Sequence, residues 1–174
     1  MKSKYIALII GTASLIASAN VLATAGPTIK FTGSISDGGC TVKVNDSQDN
    51  VSLDMGAVDM SGLAINQSSD SMDFSINMSG CPDTVSNATL SFDGTASTKN
   101  GQYFALSGTN SNKVGLELKN AYGTVVKPNA ADSVSIGLHD GDGKTKYTAQ
   151  LVKLADKVDS TQFDVSVAVD IAYQ

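Results

Sequence analysis

Arginine and tryptophan are absent from this 174-residue chain, histidine occurs once and cysteine twice. Without a guanidinium there is no bidentate partner for a phosphate, and the acidic balance leaves no basic patch for nucleic acid. Nucleic acid is therefore excluded as a partner, and the acidity is read as an aid to solubility. His139 is the single histidine and precedes a polar turn. One imidazole and no expected free thiol do not build a metal site or a nucleophile–base pair. No catalytic residue, metal or cofactor is assigned, and the chain is not expected to be an enzyme. A low-complexity linker and an internal repeat are also missing, so the length is read as one domain.

Long apolar runs are scarce too, and the single one stands at the N-terminus. Lys2 and Lys4 precede an apolar stretch that begins at Tyr5 and continues to about Ala19. The small-residue patterns Val21-Leu22-Ala23 and Ala23-Thr24-Ala25 follow. This is the layout of a secretory signal peptide, and the run is short for a bilayer span. Residues 1–25 are read as the leader, cleaved after Ala23 or Ala25, with no retained membrane span. Losing two of twelve lysines leaves ten against seventeen acidic residues. In an exported chain two cysteines favour a bridge, so Cys40 and Cys81 are expected to form a disulfide. Closing a loop of that length contributes about 4 kcal/mol in the chain-entropy account.

What the chain does contain is a succession of short runs rich in Val, Ile, Thr and Phe, separated by Gly, Asn, Asp and Ser. Strands are expected at 28–36, 40–44, 73–78, 88–92, 114–119, 124–126, 133–138, 147–153 and 162–173. Turns are expected at Asp37-Gly38-Gly39, Ser79-Gly80-Cys81-Pro82, Lys99-Asn100-Gly101, Ala121-Tyr122-Gly123 and Asp140-Gly141-Asp142-Gly143. Residues 150–158 are the one place where a turn of helix fits. Regular short strands with polar turns indicate an all-β sandwich. Asp140 and Asp142 look faintly like a calcium loop, but Lys144 and Leu151 stand where an EF-hand needs oxygen ligands, and a hairpin turn is preferred. The Asn-x-Ser/Thr triplets at Asn45, Asn50, Asn66, Asn77 and Asn87 are read as chance in a chain rich in those residues.

The two ends carry most of the information. Phe163, Val165, Val167, Val169, Ile171 and Tyr173 alternate with polar or small residues almost to the terminal Gln174. Period two puts them on one face of a strand. Termini fray unless held, so such a strand calls for partners. Near the mature N-terminus Ile29, Phe31, Gly33 and Ile35 alternate with Lys30, Thr32 and Ser34. A glycine within the alternation weakens a strand and marks close approach of another backbone. The pattern fits an ordinary first strand as well as a segment that leaves its own domain through Gly38-Gly39.

An ordered set of features resolves that choice. The alternating segment with central Gly33 is followed by Cys40-Thr41-Val42, then Val51-Ser52-Leu53-Asp54-Met55-Gly56. Phe74-Ser75-Ile76 leads to Cys81-Pro82. Val114-Gly115-Leu116-Glu117-Leu118 precedes Gly123-Thr124-Val125-Val126, and Tyr147-Thr148-Ala149 precedes a last strand with penultimate Tyr173. In this order, from Thr28 to Gln174, the chain resembles the chaperone–usher pilins of the type 1 fimbrial family. Members often carry a glycine before the last strand, where this chain has Asp159-Ser160, which leaves the approach to that strand open.

The resemblance implies an incomplete immunoglobulin-like β-sandwich lacking its final strand, residues 39–174, preceded by a donor-strand extension, residues 26–38. Ile29, Phe31, Gly33 and Ile35 would be the donor residues. Phe163, Val165, Val167, Val169, Ile171, Tyr173 and Gln174 would form the acceptor groove and chaperone-binding strand. The implied partners are a periplasmic pilus chaperone, an outer-membrane usher and neighbouring fimbrial subunits in a head-to-tail polymer. The implied role is a structural subunit of a cell-surface fimbrium supporting cell adhesion. A carbohydrate-binding adhesin and a self-contained secreted β-sandwich binding domain are the alternatives.

Overall fold

The computed structural model describes residues 39–48 and 50–174. The expected leader and the extension, with Ile29, Phe31, Gly33 and Ile35, lie outside the described residues. Among the described residues the chain forms β1 (Thr41–Val44), β2 (Met72–Ser79), β3 (Asn87–Asp93), β4 (Phe104–Ala105), β5 (Val114–Asn120), β6 (Val125–Val126), β7 (Ala131–Gly137), β8 (Gly143–Lys153) and β9 (Ala168–Tyr173). A single 3-10 turn, Gly108–Asn110, interrupts them. One sheet runs β1-β2-β8-β5-β4, with β6 also on β5, and the other runs β7-β3-β9. Every pairing is antiparallel.

Period-two alternation decides which side chains meet between the sheets. Phe74, Ile76 and Met78 on β2 are buried, as are Tyr147, Ala149 and Leu151 on β8, and Ala88, Leu90 and Phe92 on β3. The centre of this core is aromatic. Tyr147 stacks on Phe74 at a centroid distance of 5.5 Å and meets Phe92 of the opposite sheet edge-on at 4.8 Å. Its hydroxyl donates to Asp132 Oδ2 on β7 at 2.8 Å, while Asn120 Nδ2 donates to Asp132 Oδ1 at 2.8 Å. All three residues are buried, so each polar atom needs its partner. Burial, with the neighbouring carboxylate, pushes the Tyr147 phenol well above its ordinary value. The trio ties β5 and β8 of one sheet to β7 of the other.

The Cys40–Cys81 disulfide forms as expected. Its Cys81 N–H donates to Gly141 O at 3.0 Å, which fastens the turn between β7 and β8 to the bridge. In that turn His139 and Asp142 exchange backbone hydrogen bonds of 2.8 and 2.9 Å, with Asp140 and Gly141 at positive φ. That is the geometry Asp-Gly favours. A Cβ on Gly141 would stand 2.9 Å from Cys81 O, so glycine is required here on two counts. The turn has the two-residue hairpin form the sequence suggested, and because the strands it joins lie in different sheets it serves as a corner between them.

Other differences from the expected strands have local causes. Residues 150–153 belong to β8, and residues 154–158 form neither strand nor helix. β4 has only two residues, too few for any periodicity to be legible. The last strand, expected over 162–173, has a ladder only over Ala168–Tyr173. Its partner β3 ends at Asp93, opposite Ala168. The next residue, Gly94, is taken by the Asn129 side chain, which accepts from Gly94 N and donates to Gly94 O, both at 3.0 Å. Upstream of 168 the β3 partner is therefore lost.

Candidate assembly groove

β9 stands at the margin of the β7-β3-β9 sheet, and among the described residues only β3 pairs with it. The period-two pattern continues upstream of the ladder. Phe163, Val165, Val167, Val169 and Ile171 are all half-buried and packed against the core, while Asp164, Ser166, Ala168, Asp170 and Ala172 are exposed. In a finished sandwich the core face of a strand is buried, as in β2, β3 and β8. Here the whole face stops halfway, and Tyr173 remains 40% exposed.

A second stretch behaves in the same way. Val51, Leu53, Met55 and Val58 are half-buried, alternating with exposed Ser52, Asp54 and Gly56. Leu53, Met55 and Val58 pack against the same core cluster as the last run. Among the described residues, 50–58 nevertheless join no strand ladder. Two apolar runs, 50–58 and 161–167, thus lie on one core without a sheet partner along them among the described residues.

Both runs are pinned at their ends. Lys153, at a core-phase position of β8 with Tyr147, Ala149 and Leu151, is buried. Its ammonium donates to Met60 O at 3.1 Å and Leu63 O at 2.8 Å, closing off the 50–60 run. This residue escaped the sequence reading. Its signal was there: a lysine in the inward phase of an otherwise apolar alternation. On the other run Ser107 N donates to Asp164 O at 2.9 Å, and Asp164 N donates to Ser107 Oγ at 3.0 Å. Asp159 carries an ion pair with Lys113 at 2.6 Å. The hydrogen bond from Lys113, and its charge, hold the Asp159 carboxyl below the usual carboxylate range. The position where a glycine was expected is therefore an anchored aspartate.

The terminal residue is also fixed. Gln174 O accepts from Ser86 N at 2.9 Å and Asn87 N at 3.0 Å, and Gln174 N donates to Asn87 O at 2.8 Å. On the outward face Asp93 and Asp170 are diagonal neighbours across the β3–β9 ladder. The hydrogen bond between their carboxyls raises Asp93 above the usual range. The structure thus brings the six expected groove side chains, Phe163 to Tyr173, and Gln174 onto one edge run, and places the disulfide at the end of the domain where that run finishes.

The pattern of the fimbrial protein family matches residues 29–174. The fimbrial-like protein YfcV of Escherichia coli K12 is 28% identical, over 98% of this chain and 99% of the relative. The fold is similar to that of the P pilus rod subunit PapA, with a TM-score of 0.65 at 20% identity over 77% of this chain and 99% of that one. A chain of a chaperone–usher pilus gives a TM-score of 0.66 at 20% identity over 86% and 96%. An all-β sandwich matched by the family pattern through its whole described length identifies the chain as a member of the fimbrial protein family.

Proposed function

We propose that this fimbrial subunit polymerises by strand addition, accepting a neighbour's N-terminal extension beside residues 161–173 and lending residues 26–38 to the next molecule. The observation that carries the reading is the half-buried apolar face of that run beside an edge that carries no ladder among the described residues. An added strand would complete both its hydrogen bonds and its burial. Ile29, Phe31 and Ile35 would fill the face, contributing roughly 5–9 kcal/mol at about 1.5–3 each. Gly33 would sit where a side chain collides. Ladder bonds add about 0.5–1.5 kcal/mol apiece.

Chain reach favours a second molecule as the antiparallel donor. Cys40 is bonded to Cys81, which is tied to Gly141. Leu138 N bonds Ser86 O, and Ser86 N bonds Gln174 O. Cys40 therefore lies at the end of the domain where β9 finishes. A run of ten residues spans about 33 Å. To lie antiparallel in its own groove, the extension would have to reach the far end through residues 37–39, a span of about 14 Å to Cys40 at most. An antiparallel donor is therefore a neighbour's extension in this reading.

In this reading the chain is a structural subunit of an extracellular fimbrium of the chaperone–usher type. Residues 1–25 direct export, a periplasmic chaperone covers the open edge, and the outer-membrane usher oversees its exchange for the next subunit's extension. Two experiments test it. Mature chain purified without chaperone should aggregate or self-polymerise, because an open apolar edge templates pairing; a stable monodisperse monomer contradicts the proposal. Gly33→Leu should abolish incorporation into fibres while chaperone binding persists, and normal fibre yield from that variant removes residues 29–35 as the donor.

A further inference from the structure

The approach to the acceptor run is held by a bracket that the strand-addition scheme does not otherwise use. Asn110, the last residue of the Gly108–Asn110 turn, is buried at 4% exposure. Its carboxamide bonds both backbone groups of Asp159: Asn110 Nδ2 donates to Asp159 O at 2.8 Å, and Asp159 N donates to Asn110 Oδ1 at 3.0 Å. A side-chain amide offering one donor and one acceptor to a single residue copies a rung of a β-ladder. Three residues earlier Ser107 forms a second such rung with Asp164, through its own N–H and hydroxyl. Three residues later Lys113 O accepts from Leu154 N at 2.7 Å, and Lys113 Nζ pairs with Asp159. Segment 107–113 therefore touches the chain at 154, 159 and 164, spanning the whole connection from β8 to the acceptor run.

We infer that Asn110, with Ser107, is a positioning residue for strand addition: it holds residues 159–164 as a preformed edge before any donor arrives. The inference rests on the strand-addition reading and adds what prepares the acceptor. The two rungs come from a turn, not a strand, so they fix the run at separated points and leave the stretch between them unladdered. An incoming strand meets an edge already in place and does not have to order it. Asparagine is specific to the task, because aspartate has no donor for Asp159 O and leucine has neither group.

The test measures uptake of a synthetic peptide of residues 27–36 by the chaperone-held subunit, alongside thermal unfolding of the filled product. Asn110→Ala should slow uptake about tenfold, the size expected when ordering one backbone residue falls on the incoming strand. Lys113→Met, which removes the ion pair and keeps the Asn110 and Ser107 rungs, should change the rate less than about twofold, as befits an exposed pair. Ser107→Ala keeps one bond of its rung and should fall between the two, and it serves as the test if Asn110→Ala does not fold. A merely structural role would lower the melting temperature of the filled product and leave the uptake rate unchanged, and that result overturns the assignment. If the unaltered subunit takes up no peptide, the strand-addition reading fails and the positioning role falls with it.

Discussion

Replacing Tyr147 by phenylalanine removes one oxygen from the centre of the sandwich and little else. The ring keeps its contacts with Phe74 at 5.5 Å and Phe92 at 4.8 Å, so the apolar burial is unchanged. What disappears is the donor to Asp132 Oδ2. Asp132 Oδ1 retains Asn120 Nδ2 at 2.8 Å and the Val134 N–H at 3.3 Å, but a buried carboxylate oxygen is left without a partner. A hydrogen bond to a charged group contributes about 1.5–3 kcal/mol, and orphaning the acceptor puts the loss in the upper part of that range. Against a total of about 5–15 kcal/mol this is a large share. At about 2–4 °C per kcal/mol the melting temperature should fall by about 4–10 °C. The assay is thermal unfolding of the peptide-filled subunit, run as a double-mutant cycle with Asp132→Asn. Asp132→Asn lowers the cost of the orphaned acceptor, so the coupling between the two sites should exceed about 1 kcal/mol. Tyr147→Phe within about 0.5 kcal/mol of the unaltered chain would refute the view that this trio holds the two sheets together.

Other outcomes follow from the same structure. Cys40→Ser should cost about 4 kcal/mol by releasing the loop that the bridge closes, seen as a lowered denaturant midpoint that reductant reproduces in the unaltered chain. Gly141→Ala should destabilise by about 1–3 kcal/mol, because it adds positive-φ strain and a Cβ 2.9 Å from Cys81 O; equal midpoints would contradict the corner geometry. Asp159 is held low by Lys113, so the contribution of that pair is fully present above the ordinary carboxylate value and is lost as pH falls through the depressed one. An NMR titration should show the Asp159 carboxyl returning to its ordinary value in Lys113→Met. Asp93 runs the other way: bonded to Asp170 and raised, it disfavours the fold as pH rises through its value, and Asp93→Asn should remove that slope.

Much of the fold was legible because alternation and turn residues are local signals. β2, β3, β5, β7 and β8 fall within a few residues of their expected bounds, and Asp140-Gly141 marked its turn. The last run was read correctly as a face from Phe163 to Ile171, whereas Tyr173 is exposed, and it was not read correctly as a ladder. Alternation says which side chains share a side and says nothing about where a partner strand ends. That limit was set by Asn129 capturing Gly94, across 35 residues. The bracketing roles of Asn110 and Lys153 were hidden for the same reason, since their partners lie 49 and 93 residues away along the chain.

By itself the sequence determined the export signal as an expectation, the disulfide, the all-β class and the apolar face of the final run, since each depends on composition or on spacing over a few residues. The tertiary structure decided which edges found partners among the described residues: only contacts between distant segments could show that this face stays half-buried, that residues 50–58 lie on the same core without a described ladder, and that the acceptor run is pinned at Asp159 and Asp164. Side-chain pattern is written locally, whereas hydrogen-bond completion depends on what the rest of the chain brings alongside.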